Sequence, residues 1–304
     1  MLFHFVNTGQ VHTSVIDAYS KFIQSHGHQS ISHSNSLTVP DNASVVWWFC
    51  GHVAYSEALR LRSGFHIHEY LSASHPPFAW LKDQFMQWTT PVPDFRIFQN
   101  GWLRERMAFS DSIPYEFREE GLSEHFFEVP YDKKTPEFDF VYSGAILNLI
   151  IFKDVLQALE VAGRSLLVIG EMPSELQALV APKVTFTGLM NYAEVPQQLR
   201  RAQFGLNLTQ NITPFNQQAS SNVLEYCASG LKIVSNFSPW VRYFMHHNNA
   251  NFYLLPDGAV SEAYNFGKGL EAFPYVVPNV SHLRLQNTIK ELAIWKTFLV
   301  GVPG

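Results

Sequence analysis

The chain contains little cysteine and no long apolar run, and each absence excludes a class of protein. Cys50 and Cys227 are its two cysteines. Their spacing does not fit a metal site, so we expect reduced thiols, as in a cytosolic protein. No stretch approaches the ~20 consecutive apolar residues that a membrane-spanning helix needs. The opening MLFHFVNTGQ has neither the basic region nor the apolar length of a signal peptide. We therefore expect a soluble, cytoplasmic protein.

Charge is also scarce. Only 15% of the residues are charged and the net charge is -5, which gives no general attraction to nucleic acid. Nine of the thirteen histidines precede residue 76, yet no HExxH or similar carboxylate spacing joins them into a metal site. Gly9, in the first turn of the chain, is not part of a GxGxxG dinucleotide fingerprint. We expect no nucleic-acid partner, no bound metal and no cofactor.

The first half of the chain contains short apolar runs that are typical of buried strands. A helix follows the first run, because Val11, Val15, Tyr19 and Phe22 recur at three-to-four spacing. Gly27 marks the end of this helix. Alternating strands and helices predict an open α/β domain. The predicted strands of this half are 2–6, 45–49, 64–67 and 95–98.

Polar residues follow two of these predicted strands. His68 and Glu69 come directly after 64–67, and Asn100 comes shortly after 95–98. Open parallel sheets place their chemistry at the carboxyl ends of strands. His68 and Glu69 are therefore candidate catalytic or acceptor-binding residues. The alternative for each is a buried structural residue with its hydrogen bonds satisfied.

Two prolines, Pro130 and Pro136, flank a short segment without apolar core residues, which is typical of a linker. A more regular alternation of strands and helices follows, and it predicts a parallel, doubly wound sheet. Ser281 to Val300 shows a final stretch of helical periodicity. The predicted strands after the linker are 138–142, 166–169, 184–186 and 252–255, and the predicted helices are 151–161 and 194–201.

The stretch from Phe204 to Ser235 combines a strand, an uncharged polar loop, a short helix and a second strand. This is the order of a βαβ unit. Ligands of such units collect at the carboxyl ends of strands and the amino ends of helices. The loop is rich in Asn, Gln, Ser and Thr, and Glu225 lies in the following helix. The stretch predicts a site for a polyol or a phosphate-bearing ligand.

The second half resembles the nucleotide-sugar domain of retaining glycosyltransferases with the B-type fold, in particular the group that builds bacterial surface glycans. The resemblance covers residues 138–236 well and the first half only weakly. It is carried by the runs FVYSG, LVIG and VTFTG, and above all by SNVLEYCASGLKIVS at residues 221–235.

The resemblance implies a fold of two Rossmann-like parallel-sheet domains that face a cleft. The domains would be residues 1–129 and 138–280, joined by a linker at 130–137, and a C-terminal helix at 281–304 would pack on the first domain. It also implies that Glu225 binds the donor ribose and that amides near Ser220 to Asn222 receive the diphosphate. The donor-binding residues would then be Gly144, Gly188, Gln217, Ser220, Ser221, Asn222 and Glu225.

The implied activity is transfer of a sugar from a nucleotide-sugar, most often a UDP- or GDP-sugar, to a glycan or lipid-linked acceptor. The anomeric configuration would be retained, and the product would contribute to bacterial surface polysaccharide. In this family the first domain lends polar strand-end residues to the acceptor and the reacting sugar, here His68 and Glu69. Peripheral association with the inner face of the cytoplasmic membrane is compatible with such an acceptor.

The sequence departs from this family at two places. Gln217 stands where the group often has a second acid, and the six residues after Gly144 contain no cation. Three alternatives remain open: a nucleotide-sugar-binding subunit without catalysis, an epimerase, and an inverting transferase of the same fold. Glu225 has a local alternative as well, because Asn222 to Glu225 has the spacing of a capping box.

Overall fold

The computed structural model describes residues 1–9, 11–50, 53–128, 135–173, 183–256, 266–267 and 269–299. The chain divides into two compact units. The first comprises Met1–Ser123 with His282–Gly304, and the second comprises Glu124–Ser281. Most of the expected linker at 130–137 lies outside the described residues.

The first unit is built on six described strands. They are β1 (Leu2–Asn7), β2 (Gln29–His33), β3 (Val45–Cys50), β4 (Phe65–Tyr70), β5 (Phe95–Phe98) and β6 (Tyr115–Phe117). Its helices are α1 (Thr13–Ser25), α2 (Tyr55–Arg60), α3 (Ala79–Thr89), α4 (Gly101–Met107), α12 (Leu285–Lys290) and α13 (Trp295–Phe298).

All the strand pairs of the first unit are parallel, in the order β2-β1-β3-β4-β5-β6. Strands β1 and β3 are mostly apolar runs, because a parallel sheet covered by helices is buried on both faces. Phe3, Tyr19, Trp47 and Trp295 share one core cluster. The C-terminal segment therefore packs on the same face of the sheet as α1.

The second unit contains a further six described strands. They are β7 (Phe138–Ser143), β8 (Leu166–Ile169), β9 (Val184–Phe186), β10 (Ala202–Asn207), β11 (Lys232–Asn236) and β12 (Tyr253–Leu255). Its helices are α5 (His125–Glu128), α6 (Leu147–Ile151), α7 (Lys153–Val161), α8 (Val195–Leu199), α9 (Ser221–Ala228), α10 (Pro239–His247) and α11 (Gly269–Ala272).

The second sheet is also parallel, in the order β12-β11-β10-β7-β8-β9. The chain proceeds from β7 outward through β8 to β9, and then crosses back to β10 and proceeds the other way. The strand order reverses between β7 and β10, and ligands of doubly wound sheets bind at such a switch point. The predicted fold class, two Rossmann-like parallel sheets with helices, is confirmed.

Several element boundaries differ from the sequence predictions. The helix expected at 151–161 is two helices that meet at Phe152. The helical stretch expected at 281–300 is three short pieces. Its last break has a physical cause, because the Glu116 carboxylate accepts the N–H groups of Ala293 at 2.6 Å and Ile294 at 3.0 Å. A carboxylate from β6 thus satisfies the donors that a continuous helix would have satisfied.

Candidate functional site

The amino end of α9 lies just beyond the switch point of the second sheet. Ser220 is its N-cap: the Ser220 hydroxyl accepts the N–H of Val223 at 3.5 Å and donates to Asn207 Oδ1 at 2.9 Å. Within the part of the chain that the structure describes, the N–H groups of Ser221 and Asn222 donate to no other residue. Unpaired N–H groups and the positive end of the helix dipole favour an anion here.

This helix start excludes the capping-box alternative for Glu225. A capping box needs the acid three residues after the cap. Because Ser220 rather than Asn222 is the cap, Glu225 lies five residues after it, in the second turn. Its position therefore requires another explanation, which its contacts supply.

Glu225 is buried, at 4% exposure, and is held by residues from two other elements. The Tyr192 hydroxyl donates to its Oε1 at 2.7 Å, and the Ser143 hydroxyl donates to its Oε2 at 3.4 Å. Tyr192 belongs to a 3₁₀ helix before α8, and Ser143 ends β7. The carboxylate is thus oriented at the carboxyl end of β7, where it can accept from a diol.

Tyr226, which is fully buried, joins α9 to both strands of the switch point. Its hydroxyl accepts the N–H of Ser143 at 2.9 Å and donates to the carbonyl of Leu206 at 3.1 Å. Burial raises the pKa of the Tyr226 hydroxyl well above its ordinary value, so the hydroxyl keeps its proton and remains a donor. A Cβ on Gly205 would lie 2.5 Å from the Tyr226 ring. Glycine at this strand position is therefore required for the ring to pack on the sheet.

Gly144 lies against the first turn of α9. A Cβ built on Gly144 would be 2.6 Å from Asn222 Nδ2 and 3.1 Å from the Tyr142 hydroxyl. The Asn222 amide therefore fills the space that any other residue at 144 would occupy. The structure thus brings together four of the predicted donor-binding residues: Gly144, Ser221, Asn222 and Glu225.

The other three predicted donor-binding residues, Ser220, Gly188 and Gln217, have surroundings that differ from those of these four. Ser220 is the N-cap of α9. Gly188 adopts a left-handed backbone (φ +76) just after β9 and donates to the carbonyl of Gly170 at 3.0 Å. It lies at the carboxyl edge of the same sheet, two strands from β7. Gln217 belongs to the loop before α9 and is half-buried; its backbone N–H donates to the carbonyl of Pro214 at 3.0 Å.

The loop that contains Gln217 is anchored at both of its sides. At its start, Thr209 exchanges two hydrogen bonds with the Asn236 side chain, each of 2.8 Å. Farther along, the Asn216 carbonyl accepts the N–H of Trp240 at 3.1 Å. The loop that follows β10 is uncharged, and its amide groups form hydrogen bonds to residues of β11 and α10.

His68 and Glu69 lie inside β4, which continues to Tyr70, and not beyond its carboxyl end as the sequence indicated. Glu69 is fully buried. Its Oε1 accepts from Arg118 at 2.6 Å, and its Oε2 accepts from Trp47 at 2.8 Å and Tyr19 at 3.0 Å. These contacts account for Glu69 as a structural ion pair in the core of the first unit. Its catalytic role stays a prediction without support from this geometry.

His68 is likewise a buried residue with a hydrogen-bond partner in the core of the first unit. It is 1% exposed, and its Nδ1 lies 3.2 Å from the Tyr70 hydroxyl. Burial lowers the pKa of His68 well below its ordinary value, and the nearby His66 and Arg96 lower it further. A neutral, buried imidazole can stabilise the core by hydrogen bonding. Its catalytic role also stays a prediction.

The first unit has a polar cavity of about 590 Å³ elsewhere, beside β5 and α4. Its lining includes Arg96, Arg104 and Tyr115, and neither His68 nor Glu69.

Across the described residues, no group of three or more His, Cys, Asp and Glu side chains is arranged to hold a metal ion. In the same part of the chain, no helix is both long and apolar enough to cross a membrane.

Comparison with known proteins identifies the fold. No protein-family model matches the chain, and no curated protein matches its sequence. Solved structures do match. AviGT4, a glycosyltransferase involved in avilamycin A biosynthesis, has a TM-score of 0.57 and 13% identity over 95% of this chain and 92% of its own. HepE of Anabaena, in complex with UDP, has a TM-score of 0.58 and 9% identity over 95% and 93%.

A glycosyltransferase from Rickettsia africae has a TM-score of 0.58 and 12% identity over 86% of this chain and 85% of its own. These likenesses extend over most of both chains. At such low identity they establish the architecture: the chain has the B-type fold of glycosyltransferases. The activity has to be argued from the residues of the second unit.

Proposed function

We propose that this chain is a glycosyltransferase that binds a nucleotide-sugar donor at the switch point of its second sheet. The observation that carries the proposal is the meeting of three features there: the unpaired N–H groups of Ser221 and Asn222, the Gly144 turn, and the oriented Glu225 carboxylate. An anion site next to a diol acceptor matches the diphosphate and the ribose of one nucleotide. HepE, which shares the fold, binds UDP.

The chemistry of transfer makes use of the same groups. When the bond between the sugar and the diphosphate breaks, negative charge develops on the departing nucleoside diphosphate. In this proposal the amino end of α9 faces the departing diphosphate, because preorganised donors stabilise developing charge most effectively. The Glu225 carboxylate would hold the ribose and so fix the diphosphate against the helix.

The finer parts of the proposal rest on the resemblance of residues 138–236 to enzymes of surface-glycan synthesis. The donor would be a UDP- or GDP-sugar, and the acceptor a glycan or a lipid-linked sugar of bacterial surface polysaccharide. The anomeric configuration would be retained, without an essential metal. The side-chain amides of Asn222 and Gln217 would donate to phosphate or sugar oxygens in place of charged groups.

Release of the nucleoside diphosphate tests the proposal. The purified protein is incubated with UDP-glucose, UDP-N-acetylglucosamine, GDP-mannose and dTDP-glucose, with and without a panel of simple glycosides as acceptors. We expect release from one donor class and a large loss of release in Glu225→Ala. Glu160→Ala, on the exposed side of α7, serves as the matched control. Absence of binding to every nucleotide tested would contradict the proposal.

A second candidate is a subunit that binds nucleotide-sugar without transferring the sugar. The six residues after Gly144 contain no cation, which favours this second function. A neutralising charge stabilises a departing diphosphate more than it stabilises the diphosphate of an intact, bound nucleotide-sugar. A cation is therefore more important for transfer than for binding. Tight binding of a nucleotide-sugar, with no release of its nucleoside diphosphate in the presence of any acceptor, would select this function.

A further inference from the structure

The cavity of about 590 Å³ in the first unit lies away from the carboxyl edge of its sheet. Its lining comes from the second half of α4, which includes Arg104 and Ala108, and from the residues that lead into β6. Because β5 and β6 are parallel, the helix that joins them runs back along the sheet. The last turn of α4 and the start of β6 therefore lie toward the amino edge. Ligands of open α/β sheets ordinarily collect at the other edge, so this cavity is a separate site.

One wall of the cavity is a rigid ion pair. Arg96 is 3% exposed, and its Nη2 donates to Asp111 Oδ2 at 2.8 Å, while its Nη1 donates to Asp111 Oδ1. The Arg96 guanidinium carbon also lies 4.0 Å from the centroid of the Phe109 ring. Paired hydrogen bonds of this kind fix both side chains. The wall is thus preformed and carries no net charge.

The opposite side of the cavity presents polar groups that are available to a ligand. The side chains of Arg104, Glu105 and Ser112 make no hydrogen bond or ion pair within the part of the chain that the structure describes. The Arg104 guanidinium carbon lies 4.1 Å from the centroid of the Tyr115 ring, a cation–π contact that orients the fork of donors. The Tyr115 side chain nevertheless remains 43% exposed. Donors, acceptors and an accessible aromatic ring therefore occur together.

The charges of the cavity indicate the class of ligand. Its lining contains two cations and two anions, Arg96, Arg104, Glu105 and Asp111. An anionic ligand would meet two carboxylates, and an apolar ligand would remove charged groups from water without compensation. A neutral ligand with several hydroxyl groups can donate to the carboxylate and accept from the guanidinium. The volume lies in the range of about 300–1,000 Å³ that is usual for small-ligand sites.

We propose that this cavity binds an uncharged sugar residue of a glycan. The apolar face of the pyranose ring packs on Tyr115, and its hydroxyl groups form hydrogen bonds with Arg104 and Glu105. The inference rests on the proposed function in one respect, because a glycan acceptor would be held here at a residue remote from its reacting end. Two points of attachment would increase the affinity for long acceptors over short ones.

Affinity electrophoresis of the full-length protein tests this inference without any donor. Native gels contain dextran, mannan or galactan as neutral polysaccharides, and heparin as the anionic one. We expect at least one neutral polysaccharide to retard the protein more strongly than heparin does. Tyr115→Ser and Arg104→Ala should each weaken this binding about tenfold. Tyr115→Phe retains the aromatic ring and should keep most of the binding.

The matched control is Tyr243→Ser, which removes an equally accessible tyrosine of the second unit, 59% exposed. It should migrate as the unchanged protein does in every gel. Circular dichroism and denaturant unfolding verify that Tyr115→Ser and Arg104→Ala are folded. Calorimetric titration with UDP should give the same affinity for both variants as for the unchanged protein, because the cavity is not part of the donor site.

Three results would overturn the inference: no retardation by any neutral polysaccharide, equal retardation of the unchanged protein and both variants, or stronger retardation by heparin. The last result would identify the cavity as an anion site. The donor site is tested independently. UDP binding without retention by a glycan would refute this inference alone, whereas retention that depends on Tyr115, without binding of any nucleotide, would refute the proposed function alone.

Discussion

The Tyr226 hydroxyl lies 2.9 Å from the backbone nitrogen of Ser143 and so joins helix α9 to the carboxyl end of β7. Glu225 and Ser143 are 82 residues apart in sequence, and their side chains also meet. The first two turns of α9 and the turn after β7 are therefore held as one rigid group. This rigidity is what a site must have if it binds a diphosphate and a ribose together.

The Tyr226→Phe variant should lose about 1–3 kcal/mol of unfolding free energy, because the N–H of Ser143 and the carbonyl of Leu206 lose a buried partner. Denaturant unfolding measures this loss. Tyr243→Phe, at an exposed position of α10, should change stability by less than about 0.5 kcal/mol. Equal effects in the two variants would show that the Tyr226 hydroxyl has no structural role.

The Glu225→Ala variant should lose recognition of the ribose diol in particular. The unchanged protein should bind UDP about tenfold more tightly than 2′-deoxy-UDP, since one hydrogen bond to a charged acceptor is lost. The variant should bind both nucleotides with similar, weaker affinity. Isothermal titration calorimetry gives both constants. A variant that keeps full preference for UDP would place the ribose elsewhere.

The Gly144→Ala variant should weaken UDP binding by about tenfold, because a methyl group would displace the Asn222 amide from the first turn of α9. The shortest contact is with the end of the movable Asn222 side chain, and the buried Tyr142 hydroxyl at 3.1 Å must also shift slightly, so we expect a small decrease of the melting temperature in a protein that still folds. Gly269→Ala, where a Cβ meets no atom within 4 Å, is the control. Unchanged UDP affinity in a folded Gly144→Ala variant would show that the turn is not part of the site.

Glu69 should act as a structural residue. The Glu69→Ala variant removes the ion-pair partner of the buried Arg118, which then keeps only the nearby Glu120 as an opposite charge. It also leaves Trp47 and Tyr19 without their acceptor, and it should lose about 3–5 kcal/mol of stability in denaturant unfolding. The exposed Glu105→Ala is its control. A catalytic Glu69 would give the opposite pattern: Glu69→Gln would keep its stability and lose sugar transfer.

The burial of His68 gives a pH dependence with a definite sign. Its pKa in the folded protein is well below the ordinary value of 6.5, so the unfolded chain binds the proton more readily. The contribution of His68 to stability is complete above about pH 6.5 and falls as the pH is lowered, by up to about 1.4 kcal/mol per pH unit. His4 and His33, whose pKa values are also lowered by burial, add to the same trend.

Denaturant unfolding at about pH 7.5 and about pH 5.5 measures this loss. The His68→Gln variant should lose less stability between the two pH values than the unchanged protein, whatever its stability at neutral pH. The exposed His282→Gln should behave as the unchanged protein does. An identical pH dependence in all three proteins would refute the burial of a neutral His68.

The fold could be predicted largely from local pattern. The run VVWWF is apolar over its whole length because it is a central parallel strand, and such a run stands out in a sequence. Strand β2, QSISH, was missed for the opposite reason: it is an edge strand that pairs with β1 alone and is mostly exposed, so it needs few apolar residues. The helix pattern of 281–300 could not show the Glu116 contact that divides it.

The candidate site was predictable only in its local part. The signature around Glu225 indicates a helix start and an acid, and these are properties of neighbouring residues. The contacts that orient Glu225 come from Tyr192 and Ser143, which lie 33 and 82 residues away. A pattern of neighbouring residues cannot predict contacts over such distances in sequence. The same limit affected His68 and Glu69. Polar residues after an apolar run indicate a strand end, whereas here the strand continues and its polar residues find buried partners.

The position of a bound nucleotide tests the central claim most directly. A crystal structure of the protein with UDP, or with GDP if UDP does not bind, should show the diphosphate at the N–H groups of Ser221 and Asn222. The ribose hydroxyls should lie within hydrogen-bonding distance of the Glu225 carboxylate. A nucleotide bound at any other place, with the first turn of α9 unoccupied, would contradict the account.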